Sequence, residues 1–250
     1  MTHILYNGRA RLEFDPLKHS YTVAWEGAEP VPIPSVTKVL DALNKPVLPR
    51  WAARETADYV GRTLKPGVGL NEIQIANLVK DAKAAPWRKS SDAADVGSLV
   101  HAYAEAYVLG QEPSMPIHPE AQACVRSFLR WIQLDNVVIT HHAERKMLYM
   151  GLPHAYAGTC DLVARINGKL AIADFKTSTG IWPEYRLQLA AYRQAYGEET
   201  GEWADECWCL RFGKDGAFEA ACYTDHDTDW QAFQACLEVH HWQQSVARKR

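Results

Sequence analysis

The stretch Leu162–Ser178 reads LVARINGKLAIADFKTS. Its centre, Asn167-Gly168, limits the fold more than any other feature of the chain. Asn-Gly between two apolar runs is the strongest short-range hairpin signal, because both residues tolerate the positive φ of a two-residue type I′ turn. A two-residue loop pairs Ile166 with Lys169, and every later pair is then forced. Without a bulge, Asp161 falls directly opposite Asp174, with Cβ atoms roughly 4.5–5.5 Å apart. Lys176 projects from the same face, together with Val163, Leu170 and Ile172. Leu162, Ala164, Ala171, Ala173 and Phe175 line the other face. Two mostly apolar faces predict a central strand pair covered on both sides.

Two acids facing each other in such a place repel. Each raises the pKa of the other or demands a cation. Lys176 neutralises one of them and leaves a negative excess. A divalent ion such as Mg²⁺, which prefers carboxylate oxygens, answers that excess directly. The alternative is a structural Asp–Lys pair in an α/β protein with no metal chemistry. A β-bulge would break the register on which this geometry rests.

The rest of the chain supplies the cover. RLEFDPLKHSYTVAWEG reads as β structure that PVPIPS breaks, and Ser35 is placed to cap a short helix, SVTKVLDAL. Helical patterns follow Pro49 (RWAARETADYVGRTL) and run through LNEIQIANLVKDAKAA. A further helix starts from Ser91, with Asp92 or Asp95 as its cap and Gly110 as its end. On that helix His101 and Glu105 share a face. HPEAQACVRSFLRWIQLDN is another helix. Strands VVITHHAERKMLYM, TCDLVARI and KLAIADFKT come next, with a turn at GLPHAYAG. A helix from Pro183, a hairpin through GKDG and a last helix, WQAFQACLEVHHWQQSVA, complete the chain. Helices and strands in this order predict a mixed α/β fold with helices over a central sheet.

These residues resemble the PD-(D/E)XK nuclease superfamily. The motif set is Gly97-Ser-Leu-Val-His101, then Gly158-Thr-Cys-Asp161, Asp174-Phe-Lys176-Thr and Gln188-Leu-Ala-Ala-Tyr192. More narrowly it is similar to the RecB-type exonuclease branch, which includes mitochondrial genome maintenance exonucleases and CRISPR-associated RecB-like nucleases. PSVTKVL and the Arg50-Trp51 helix resemble N-terminal parts of the same small nucleases. The resemblance implies a restriction-endonuclease-like core, with a central mixed sheet flanked by helices in the order helix–strand–strand–strand–helix–strand. It also implies a single nuclease domain over 1–250, with a DNA-binding elaboration over 1–90 and a catalytic core over 91–250.

The resemblance implies roles as well. His101, Asp161 and Asp174 become metal ligands, joined by the backbone carbonyl of Phe175, and Glu144 matches a frequent acidic position. One or two Mg²⁺ or Mn²⁺ ions are the expected cofactors. Lys176 orients or deprotonates the attacking water and stabilises charge on the phosphate. Gln188 and Tyr192 contact DNA or position Lys176, and Glu105 stands behind the ligands. The function implied is metal-dependent hydrolysis of phosphodiester bonds by an exonuclease. Its substrate is single-stranded DNA or DNA ends, in repair, recombination or phage-type processing. The other readings are a site-specific or structure-specific endonuclease, and a DNA-binding protein without activity. A recombination or single-strand-binding protein is the expected partner, and any unwinding is expected from a partner too, since the chain has no GxxxxGK[ST] loop of its own.

Composition narrows the classes further. No apolar run approaches the ~20 residues of a membrane span, and the start of the chain is polar and charged, so an intracellular protein is expected. RecB-type iron–sulfur nucleases carry one cysteine before the histidine helix. None precedes Cys124 here, so no cluster is expected, and the six cysteines read as free buried thiols. Net charge is −3, but Lys45–Lys89 holds nine Lys/Arg against four Asp/Glu. Glu198–Asp229 holds two against ten. One surface therefore suits a polyanion, with Arg50, Trp51, Arg54 and Tyr59 available for phosphate contacts and base stacking. Among the other histidines, His141-His142 cannot chelate together from one strand, His154 has a place near Gly158, and His240-His241 are expected at the surface.

Overall fold

The structure, a computed structural model, describes residues 2–134, 137–138, 143–151 and 153–247. It divides into two compact units, Met1–Leu43 with Leu99–Arg250, and Asn44–Ser98.

The larger unit opens with strands β1 (Thr2–Leu5), β2 (Ala10–Asp15), β3 (Ser20–Trp25) and β4 (Val31–Ile33), which form an antiparallel four-stranded sheet in that order. PVPIPS does not break the sheet as expected: Pro32 lies in β4, opposite Thr22. β4 is an edge strand, where a missing N–H leaves no ladder bond unmade. The short helix α1 (Val36–Leu40) follows, and Ser35 caps it by accepting from the Lys38 N–H at 3.1 Å.

In the smaller unit, α2 (Val47–Thr63) begins two residues before Pro49. First-turn N–H groups have no helical partner, so proline is tolerated there. The two helices expected over 71–110 are one, α3 (Glu72–Val108), continuous through Pro86. Asp92 and Asp95 therefore cap nothing. The cap is Asn71, which accepts from the Gln74 N–H while the Gln74 side chain accepts from the Asn71 N–H, both at 2.9 Å. That reciprocal pair is a capping box. Gly110, at φ +75°, closes the far end as expected. Within this unit Lys89 bonds Glu55 and Arg88 lies over the Tyr59 ring. Arg50 and Arg54 are exposed and Trp51 is half-buried.

The second sheet is mixed and six-stranded. After helix α4 (Pro119–Leu134) it comprises β5 (Val137–Val138), β6 (Ala143–Tyr149), β7 (Tyr156–Ile166), β8 (Lys169–Lys176), β9 (Glu206–Phe212) and β10 (Phe218–Tyr223). The order is β10-β9-β8-β7-β5, with β6 also paired to β7, and β8–β9 is the parallel pair. The single strand expected over 137–150 appears as β5 and β6, and His141-His142 lie outside the described residues. Tyr156–Gly158, expected in a turn, belong to β7. Asn167 at φ +51° and Gly168 at φ +84° make the expected turn, and Ile166 pairs with Lys169.

Helices α5 (Glu184–Thr200) and α6 (His226–Ala247) cover one face. There Val163, Leu170 and Ile172 meet Leu189, Tyr192, Phe233 and Leu237. On the other face Phe128 and Trp131 of α4 pack edge-on against Phe175 and Phe212. Five cysteines are buried and free, whereas Cys222 is exposed on β10, the edge strand. His240 is buried rather than superficial. Among the described residues no helix is long and apolar enough to cross a membrane.

Candidate metal centre

The β7–β8 ladder runs from Ile166↔Lys169 to Leu162↔Ala173, one step short of Asp161 and Asp174. At that step a side chain replaces the backbone. Asp161 Oδ2 accepts the Phe175 N–H at 2.5 Å, and its other oxygen accepts from His101 Nδ1 at 2.9 Å. N–H and C=O of one strand residue point to the same edge. The Phe175 carbonyl therefore faces the side on which Asp161 lies.

Glu144 enters from β6. Its neighbours pair as Ala143↔Leu162 and Arg145↔Cys160, so Glu144 falls at the level of Asp161. Its backbone is left-handed, at φ +50°. A glutamate is costly there, and such strain clusters at functional sites. Glu144 Oε1 is 3.8 Å from His101 Nδ1. One ligand atom from each of His101, Glu144 and Asp161 lies within 4.8 Å of the others, so this group can hold a metal ion. An imidazole and two carboxylates are a donor set for Mg²⁺ or Mn²⁺.

Asp174, expected among the ligands, is outside that trio and held differently. Its Oδ1 accepts from Gln188 Nε2 at 3.1 Å, and its Oδ2 lies 2.5 Å from Lys176 Nζ. That ion pair lacks hydrogen-bond geometry, so buried Oδ2 keeps no hydrogen bond in this arrangement. Lys176 also donates to Gln188 Oε1 at 3.1 Å, and its ammonium stands 4.6 Å from the Tyr185 ring centroid. Gln188 thus uses both ends of its amide to join the acid to the lysine. It donates to Tyr192 Oη as well, at 2.9 Å. Gln188 and Tyr192 are both buried, so their shared face is turned inward and away from solvent.

Tyr192 also explains Gly158. A Cβ at Gly158 would stand 2.6 Å from Tyr192 Cε1. Glycine is needed here for close approach rather than for a turn.

The charges are strongly coupled. Asp161 lifts the His101 pKa well above its ordinary value, against the effect of burial. Burial pushes Asp161 up, but the charges of His101 and Lys176 and the Phe175 N–H outweigh it, and the carboxyl lies low. Asp174 goes the other way. Burial and the Asp161 charge push it up to about 6 in spite of Lys176. Burial would lower Lys176, but Asp174 and Asp161 prevail and push it up to about 12.

Other expected site residues are elsewhere. Glu105 is one turn beyond His101 on α3, half-buried and outside the trio. Arg50, Trp51 and Arg54 belong to the smaller unit. His154 stacks on His241, with ring centroids 3.7 Å apart, and its Nε2 is 3.4 Å from Glu238. Tyr185 beside Lys176 is a site residue that the sequence did not reveal, since nothing in a helix pattern says which ring lies next to a neighbouring strand.

No family model and no curated protein matches the chain. Among solved structures it is similar to SSO0001, at 13% identity and a TM-score of 0.36 over 78% of this chain and 87% of that one. It is also similar to a Eubacterium rectale protein named "Putative exonuclease", at 16% identity and a TM-score of 0.38 over 58% of this chain and 68% of that one. Likenesses this loose carry no weight for function, and the chemistry rests on the side chains.

Proposed function

We propose that the chain is a metal-dependent nuclease that hydrolyses phosphodiester bonds. The observation that carries this reading is one arrangement at the end of one hairpin: a His101–Glu144–Asp161 group able to hold a metal ion, beside a buried Asp174–Lys176 pair. A restriction-endonuclease-like core of the PD-(D/E)XK, RecB-type branch is the fold this reading takes. The whole chain then works as one nuclease, with Arg50, Trp51 and Arg54 of the smaller unit contacting the nucleic acid.

His101, Glu144 and Asp161 would hold the ion, with the Phe175 carbonyl and Asp174 Oδ2 available to it. A bound Mg²⁺ or Mn²⁺ supplies Lewis acidity and an acidified water. The protein's own groups divide the remaining work. Lys176 stays protonated at neutral pH, because its pKa is pushed up to about 12. It therefore neutralises charge growing on phosphate oxygens rather than removing a proton. Asp174, held by Gln188 and paired with Lys176, keeps that ammonium in place beside the cluster. Gln188 and Tyr192 fix both groups from behind.

The substrate we assign is DNA, as single strands or ends. The setting is repair, recombination or phage-type processing, with a recombination or single-strand-binding protein as partner. End-labelled single- and double-stranded DNA with Mg²⁺ or Mn²⁺ tests this, with Lys176→Ala as control. Loss of cutting by at least a hundredfold in the variant is expected. Failure of the parent protein to cut either form refutes an enzyme. Cutting of closed circular DNA would replace the exonuclease by an endonuclease.

A further inference from the structure

Among the described residues, one cation beside the candidate ligand cluster has no acid to answer it. Lys146 lies on β6 two residues after Glu144, on the same face and about 7 Å further along the strand. It pairs in register with Thr159, two residues before Asp161 on β7. Lys146 is half-buried, and among the described residues it has no carboxylate partner. Its contacts are the Glu144 carbonyl at 3.4 Å and the face of Phe14, 5.4 Å from the ring centroid.

Phe14 belongs to a small aromatic patch on β2 and β3. Its ring lies 4.8 Å from Tyr21 and 6.1 Å from His19, centroid to centroid. Tyr21 is tied to the second sheet through its hydroxyl, 2.8 Å from Thr159 Oγ1. Tyr6 does the same by donating to the Leu148 carbonyl at 2.9 Å. The N-terminal sheet is thereby fastened beside β6 and β7, next to the cluster. This ammonium thus stands between the ligand cluster and an aromatic patch with only a carbonyl and a ring as contacts among the described residues. A half-buried lysine gives up part of its hydration and is open to an anion that can answer it.

We infer that Lys146 and Phe14 form a nucleic-acid subsite flanking the metal centre. Lys146 takes the phosphate next to the scissile one, and the Phe14 patch supports the adjoining base. This rests on the nuclease reading and extends it. It names where the strand runs: from the His101–Glu144–Asp161 cluster along β6 to the edge of the N-terminal sheet. An ammonium suits a phosphate as a point charge, and an aromatic ring stacks on any base without regard to sequence. The subsite is therefore a contact for single strands that does not select sequence.

The test is binding without cutting. Fluorescein-labelled single-stranded oligonucleotide is titrated with the full chain in EDTA and again in Ca²⁺, at several salt concentrations. The proteins are the parent, Lys146→Ala, Lys146→Arg and Phe14→Leu. Lys146→Ala should weaken binding about tenfold and lower the slope of log affinity against log salt by about 0.7, the loss of one phosphate contact on a single strand. Lys146→Arg should keep both affinity and slope. Phe14→Leu should weaken binding severalfold with the slope unchanged. If Lys146→Ala binds with the parent's affinity and slope, the subsite is refuted while the nuclease reading stands. If the parent binds no oligonucleotide in either condition, the nucleic-acid reading falls and the subsite with it. Thermal unfolding of each variant, expected within about 2 °C of the parent, separates lost contacts from lost fold.

Discussion

Gly158→Ala joins the packing of the fold to the order of the site. The added Cβ would lie 2.6 Å from Tyr192 Cε1, 3.2 Å from Val36 Cγ2 and 3.4 Å from Tyr192 Cδ1. Carbon atoms settle at about 3.5–4.0 Å, so the ring must retreat by about 1 Å. Tyr192 has little room to do so, being only 3% exposed. Its hydroxyl accepts from Gln188 at 2.9 Å, and Gln188 is bound in turn to Asp174 and Lys176. A retreat of that size breaks the hydrogen bond or drags the amide with it. Overpacking costs about 1–3 kcal/mol, and a lost hydrogen bond adds about 1 kcal/mol. Replacing glycine in a strand returns about 0.5–1 kcal/mol. The clash wins, and a net loss of about 1–3 kcal/mol is expected. Chemical denaturation followed by circular dichroism measures it, as a lower midpoint with unchanged slope. Repeating Gly158→Ala in a Tyr192→Ala background isolates the cause, because the truncated ring leaves space for the new methyl. The cost there should fall by at least about 1 kcal/mol. Equal costs in both backgrounds would refute the steric link between Gly158 and Tyr192.

Other perturbations test other levels. Ser35→Ala should cost about 1 kcal/mol by removing the cap of α1, read from the urea midpoint. Phe128→Ala should cost about 3–5 kcal/mol, since it empties the aromatic layer under the Phe175 face of the sheet, again by denaturation. The pH dependence of metal binding has a definite sign. His101, raised by Asp161, carries its proton at neutral pH in the metal-free protein, and a ligand imidazole must lose it. Mn²⁺ binding should therefore release a proton near pH 7 and tighten as pH rises. Calorimetry in two buffers of different ionisation heat reads this, and identical enthalpies would contradict it. Stability of the metal-free protein gives a second sign. A buried carboxyl raised to about 6 stabilises below its unfolded value and loses that contribution as pH climbs through about 4–6. Asp174→Asn should flatten this part of the stability profile, and an unchanged slope would show that Asp174 is not its source.

The sequence by itself determined the hairpin and what it carries. Asn167-Gly168 admits one tight turn, which fixes the pairs from Ile166↔Lys169 to Leu162↔Ala173 and so brings Asp161 and Asp174 to the same end of the hairpin. The apolar character of both faces told that the pair is central. These are local consequences of backbone sterics and strand geometry, and they need no neighbours.

Only the tertiary structure decided how the charges are shared. Asp174 turns to Gln188, which α5 brings to it, and to Lys176, two residues further along β8. Glu144 completes the trio because β6 is laid along β7 in one register and kinks there. Lys146 and Phe14 are far apart in the chain and meet only because one sheet is fastened beside another. The same limit explains the local errors. Pro32 was read as a breaker, but an edge strand needs no N–H from it. Asp92 and Asp95 suggest a second helix start, yet the helix runs on through Pro86 and past both. Propensity is worth a kilocalorie or so per residue, and packing of a buried face outweighs it. Spacing along a chain reports which groups share a face, whereas the partner each group finds depends on which elements are packed against it.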